Sequence, residues 1–163
     1  MIVVSDNSAL SGLAELGRLD LLQRLFARVS IPAAVLAECR AAGAPEALRS
    51  WAADLPEWID LEPDPEVLLP ETDSLGAGEA SAISLAWLHR GDALLVLDER
   101  RGRRIADALG LRKTGLLGML GQAAALGWLD FEVEINALRA TGFHLSDNLV
   151  EAVRKRLAND RSA

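Results

Sequence analysis

Two short apolar runs, "IVVS" at residues 2–5 and "ALLVLD" at residues 93–98, each end at an acid, and a helix-like pattern follows each of them. A brief, unbroken apolar run of this kind suits a strand covered on both faces, and such strands belong to parallel sheets. Parallel strands need a crossover between them, commonly a helix. The runs therefore predict an α/β chain in which helices cover a short parallel sheet, a three-layer α/β/α sandwich.

The rest of the chain follows that alternation. Leu10, Leu13 and Leu16 recur every three residues, which predicts a helix over 8–16 ended by Gly17. A second helix is expected over 20–27. "RVSIP" reads as a short strand, with Pro32 opening a helix over 32–42 because proline is tolerated in a first turn. Residues 43–78 are expected to hold a helix near 45–53, a short strand over 58–61 and the loop "EPDPEVLLPETDSLGAG". After it come a helix in "EASAISLAWLHRG" ending at Gly91, the strand "ALLVLD", and the helix "RRGRRIADALG" closed by Gly110. A strand at 111–114 and helices over 116–126 and 146–158 complete the pattern. Neither side of the acidic loop is long enough for its own core, so one domain over 1–163 is expected, close to the usual ~100–150 residues. In the last helix, Leu149, Val150, Val153 and Leu157 are expected to pack on the core or on a partner, the core first.

Half of the residues are hydrophobic and a quarter charged, a globular rather than disordered profile. No apolar stretch approaches the ~20 residues of a membrane helix, and no basic-then-apolar leader precedes Asp6, so a cytoplasmic protein with no membrane association is expected. Cys39 is the only cysteine, which excludes an internal disulfide and fits a reducing compartment. A net charge of −7 argues against nonspecific coating of nucleic acid. Against that background, residues 100–113 hold six of the 17 basic residues and a single acid, Asp107. Such a stretch can present a local anion-facing patch or a solvated helix face.

Four acids stand out. Asp6 and Asp98 follow the two clearest strands, at the sheet edge where ligands gather in open parallel folds. Asp6 could also cap the next helix, although Asn7 and Ser8 cap equally well. Glu38 has only Ala34, Val35, Ala41 and Ala42 as helical neighbours, and Glu79 has Ala82, Ile83 and Ala86. Neither has an intrahelical cation, so each is a solvated surface acid, a first-turn acid favoured by the helix dipole, or a carboxylate awaiting a partner. Clustered carboxylates suit a hard ion such as Mg²⁺. Zinc is unsupported, because His89, His144 and Cys39 have unrelated spacings. A Gly-x-Ser-x-Gly elbow is absent, and "GLLGMLG" reads as helix packing rather than a phosphate cradle.

The segments "VVSDNSALSGLAELGRLDLL", "IPAAVLAE", "LGAGEASAISLA", "ALLVLDERRGRRIADALGLRKTGLLGML" and "ATGFHLSDNLVEAVRKRL" together resemble PIN-domain proteins. The resemblance is nearest to the branch related to VapC-type toxins, and only residues 43–72 are unmatched. It implies an α/β/α fold and a ribonuclease dependent on Mg²⁺ or Mn²⁺. By matching positions, Asp6 is the first catalytic carboxylate, Glu38 the second and Asp98 the fourth. Glu79 stands where many relatives have aspartate, and its longer arm reaches the ion directly or through water. Asp6, Asp98 and Glu79 are the implied metal ligands, and Arg100, Arg101, Arg103 and Arg104 the implied RNA contacts. The resemblance further implies a homodimer and a small antitoxin protein. Two other functions stay open: a non-catalytic PIN-like module binding RNA or protein, and a phosphoryl-accepting receiver-like domain. The latter usually has two adjacent acids after its first strand, where this chain has Asp6 and then Asn7.

Overall fold

A computed structural model describes residues 1–162. Among them five strands form one parallel sheet: β1 (Ile2–Ser5), β2 (Val29–Pro32), β3 (Ile59–Glu62), β4 (Ala93–Val96) and β5 (Lys113–Thr114). Their spatial order is β3-β2-β1-β4-β5. The chain fills one half of the sheet outward from β1 and then returns to fill the other, so the order reverses between β1 and β4. The register there pairs Ser5 with Val96, which brings the carboxyl ends of the two most apolar strands side by side. In such folds the crevice at that reversal is where ligands bind.

The helices are α1 (Asn7–Leu16), α2 (Asp20–Phe26), α3 (Ala33–Arg40), α4 (Glu46–Ala53), α5 (Ala77–Leu88), α6 (Arg100–Ala108), α7 (Leu116–Ala125), α8 (Phe131–Ala140) and α9 (Asp147–Ser162). They make the outer layers of an α/β/α sandwich. Helix α5 packs on β1, β2 and β4, while α7 joins α1, α8 and α9. Val4, Leu10, Ile31, Ile83, Leu95 and Leu116 are completely buried where these layers meet the sheet. No helix among the described residues is long and apolar enough to cross a membrane.

Several boundaries differ from the sequence expectation, each for a local reason. Pro32 closes β2 in extended backbone (φ −68°, ψ 156°) rather than entering the first turn of α3. The N–H of Ala34 in that turn is met by Asp64 Oδ1 at 3.0 Å, which also accepts from Ser81 Oγ at 2.6 Å. The acidic loop is thus pinned across α3 and α5, and it contains a 3-10 turn at Pro70–Thr72. Helix α5 stops at Leu88, not Gly91: the N–H groups of His89 and Arg90 turn back onto Ala86 and Trp87, and Gly91 takes φ +94° to enter β4. Helix α9 runs past residue 158 to Ser162.

Helix α8 has no counterpart in the sequence reading. Asp130 caps it through Glu132 and Val133, and Phe131, Ile135 and Leu138 bury one face against the core. Spacings of four and three residues were the available signal. In the last helix Val150, Val153 and Leu157 are buried as expected, whereas Leu149 is 51% exposed.

Candidate active site

The sequence ends β1 with Ser5 and then supplies three consecutive small polar residues, Asp6, Asn7 and Ser8. Asp6 becomes the N-cap of α1, accepting from Ala9 N–H at 3.3 Å. Its side chain is also bound by Ser8, whose hydroxyl lies 2.9 and 2.8 Å from the two carboxylate oxygens. The same hydroxyl accepts the backbone N–H of Asp98 at 2.8 Å. Ser8 therefore ties the tip of β1 to the loop after β4, and places Asp6 two hydrogen bonds from the Asp98 backbone. The capping role open to Asp6 in the sequence is realised at Ala9, and Ser8 adds a second short-range donor. Ser8 itself was overlooked except as a rival cap.

Asp98 is held from the other side. Both of its oxygens accept from Leu116 N–H, at 3.1 and 3.0 Å, at the first turn of α7, where the helix dipole favours an anion. Arg103 Nη1 stands 3.8 Å away. A β-carbon on Gly115 would lie 2.6 Å from Asp98 Oδ1 and 2.5 Å from Arg103 Nη1, so only glycine leaves space for that pair.

Glu38 and Glu79 occupy similar seats. Glu38 accepts from Gly78 N–H at 2.8 Å, so the partner it lacked on its own helix comes from the start of α5. A side chain at Gly78 would overlap that carboxylate. Glu79 reaches from α5 toward α6, where a β-carbon on Gly102 would overlap its Oε2. That oxygen is buried without a hydrogen-bond partner among the described residues.

The electrostatics connect these groups. Burial pushes Asp6 from 3.8 up to about 8, outweighing the bonds from Ser8 and Ala9, and the charges of Glu79 and Asp98 push the same way. Burial likewise raises Glu79 from 4.5 to about 7, aided by Glu99 and Glu38 and opposed by Arg101. Asp98 is raised by burial against the pull of Leu116 N–H and Arg103. Even Cys39, behind the acids, is raised to about 12 by burial and by the charges of Glu38 and Asp6. Glu99 is thus a fifth acid in this field; its place directly after Asp98 was the only hint in the sequence. Among the described residues no three His, Cys, Asp or Glu side chains already close on one point as a ready cage.

The arginine quartet divides. Arg100, Arg103 and Arg104 line a groove that includes Asp98 and Ser8, whereas Arg101 donates to the Ser74 carbonyl at 3.2 Å on the Glu79 side. His144 lies in the same groove, and His89 sits exposed at the end of α5.

A family model described as "DUF3368: PIN domain" matches residues 2–159. The chain belongs to the PIN-domain family. No curated protein and no solved structure matches it. PIN domains have a nuclease-type fold, are in general nucleases and usually use divalent metal ions. The four acids named from the sequence lie around the end of the sheet where β1 and β4 meet, and the glycine seats show how closely the fold is built around three of them.

The Gly102 seat gives a direct check on Glu79. Alanine is the better helix former by about 1 kcal/mol, so Gly102→Ala should leave α6 helical while displacing the Glu79 carboxylate and pressing on Leu97 Cδ1, 2.8 Å from the added β-carbon. If the PIN domain is an active nuclease, its turnover should fall by roughly 10–100-fold, the usual effect of a misplaced catalytic group. Circular dichroism would verify the fold, and turnover unchanged from wild type would remove Glu79 from the site.

Proposed function

We propose that this PIN domain, one domain over 1–163, is an endoribonuclease dependent on Mg²⁺ or Mn²⁺, acting in the cytoplasm. The observation that carries the reading is Asp6: a fully buried carboxylate with no cation paired to it among the described residues, tied through Ser8 to the loop bearing a second acid. A buried carboxylate of this kind is costly unless it is protonated or met by positive charge. The orphaned Oε2 of Glu79 supports the same conclusion. The donor set is all oxygen, which fits a hard divalent ion. Mg²⁺ usually keeps several of its waters and takes only one or two carboxylates.

Asp6, Asp98 and Glu79 would hold the ion, directly or through its waters. When bound, such an ion supplies charge neutralisation at the phosphate and a nucleophile at neutral pH. The remaining work falls to the chain. Ser8 fixes the Asp6 carboxylate, Leu116 N–H fixes Asp98, and Gly78 N–H fixes Glu38 in position to orient the attacking water. Arg103, beside Asp98, meets the phosphate charge, with Arg100 and Arg104 further along the groove and Arg101 on the Glu79 side.

Single-stranded RNA incubated with the protein should be cut when Mn²⁺ is present and left intact in EDTA. Asp98→Asn should slow cleavage by roughly 100-fold, as loss of groups around a metal commonly does. Metal-independent cutting, or full activity of Asp98→Asn, would defeat the assignment. The resemblance to VapC-type toxins supports a role as the toxin of a toxin–antitoxin pair, working as a homodimer restrained by a small antitoxin. Induced expression should then arrest bacterial growth, and Asp6→Asn should relieve the arrest. One observation, the absence of a closed cage, favours a second reading as a non-catalytic RNA- or protein-binding module. Metal binding without cleavage of any RNA would decide for it.

A further inference from the structure

A groove of about 740 Å³ opens beside Asp98 between α6 and α9, and it continues into a hollow of about 310 Å³ between α7 and α9. Arg156, Thr114, Gly118 and Val153 line both, so the two form one path that starts at the acids and runs along α9. Arg100 and Arg104 stand on one wall and Arg156 on the other. None of these three guanidinium groups has an ion pair or hydrogen bond among the described residues. Lys113 in the same groove differs, being paired with Asp107. Across the groove and the hollow, Arg100, Arg103, Arg104, Lys113 and Arg156 face Asp98, Glu99, Asp107 and Asp160, so the path carries one net positive charge in a chain whose net charge is −7. At the rim, Phe143 is anchored over Gly12 of α1, and the neighbouring His144 ring is exposed.

We propose that this path carries single-stranded RNA away from the acids, with Arg156 binding a backbone phosphate and His144 stacking on a base. The proposal rests on the nuclease reading for its substrate class. Spaced cations that flank a path meet a linear polyanion, and a ring at the rim can stack only on a base freed from a duplex. Leu149, exposed on α9 where it lines the groove, adds an apolar contact surface for a base.

Fluorescence anisotropy of a short, labelled, mixed-sequence single-stranded RNA, measured in EDTA across a salt series, tests this without any cleavage. Each lost phosphate contact flattens the slope of log K against log salt by about 0.7, equivalent to about a fivefold loss of affinity at 0.1 M salt. Arg156→Ala and Arg104→Ala should each show that loss, and Arg156→Lys should retain part of the affinity. Arg49→Ala, which removes an exposed charge on α4, should show no such loss, and melting curves should show all variants folded. Arg156→Ala indistinguishable from Arg49→Ala, or no binding by the wild type, would overturn the proposal. So would a wild-type dimer that Arg156→Ala dissociates with RNA binding intact, since the groove would then join two copies of the chain. Cleavage with Mn²⁺ is read separately. An Arg156-dependent binder that never cuts keeps the groove and sinks the nuclease; a cutter indifferent to Arg156 does the reverse.

Discussion

Asp6→Asn protein should cleave RNA roughly 100-fold more slowly than wild type or worse, as loss of a metal-site group commonly does, yet melt at a higher temperature when both are free of metal. The two effects have one cause. Asp6 is completely buried and its carboxyl is raised from 3.8 to about 8, so folding must either protonate it or bury a charge. Asparagine removes that cost and keeps the local structure, because its side-chain oxygen can still cap α1 at Ala9 and accept from Ser8. Against the gain stands a new amide N–H₂ that needs partners, at about 1–3 kcal/mol if it finds none. A net gain of about 2 kcal/mol would raise the melting temperature by about 4–8 °C in a domain of this size. Calorimetry in EDTA at neutral pH, beside a cleavage assay, would test both parts. An Asp6→Asn protein that is inactive but clearly less stable would show that Asp6 serves chiefly to hold α1 in place.

The second large effect is on pH dependence. A carboxyl whose pKa is raised by folding makes the folded state bind more protons than the unfolded chain. Its contribution is therefore complete below the unfolded value and is lost as pH rises toward the folded one. For Asp6 that window runs from 3.8 to about 8, and for Glu79 from 4.5 to about 7. Asp98 is shifted in the same direction. Metal-free protein should therefore lose melting temperature steadily from about pH 4 to about pH 8. Mg²⁺ or Mn²⁺ should restore more of it at pH 8 than at pH 5, because carboxylate ligands must be deprotonated to bind. Asp6→Asn should flatten the metal-free slope. A slope identical to that of wild type would mean that overall charge, not the buried acid, sets the trend.

Much of this was legible because some signals are local. "IVVS" and "ALLVLD" are apolar on both strand faces, as a parallel sheet covered by helices requires, and an acid stands at or just after the end of each. Asp6 and Asp98 could be singled out for that reason, and Glu38 and Glu79 because no cation stood one helical turn away. Helix α8 escaped notice although its buried residues keep helical spacing, since Asp130 and the turn before it gave a weaker signal than the strand runs. Glu99 escaped because an acid preceding four arginines reads first as a charge balance.

By itself the sequence determined the alternation of strands and helices, the acids at the strand tips and the basic stretch after Asp98. Only the tertiary structure decided that β1 and β4 are neighbours, that one serine hydroxyl joins their tips, and that glycines on other elements make room for three of the acids. It also decided which arginines face the groove and which one turns to the Ser74 carbonyl. The division has a physical reason. Strand and helix preferences act over a few residues and leave a periodic trace, whereas burial, pKa and the fit of a carboxylate against a missing β-carbon depend on atoms that can lie 90 or more positions apart.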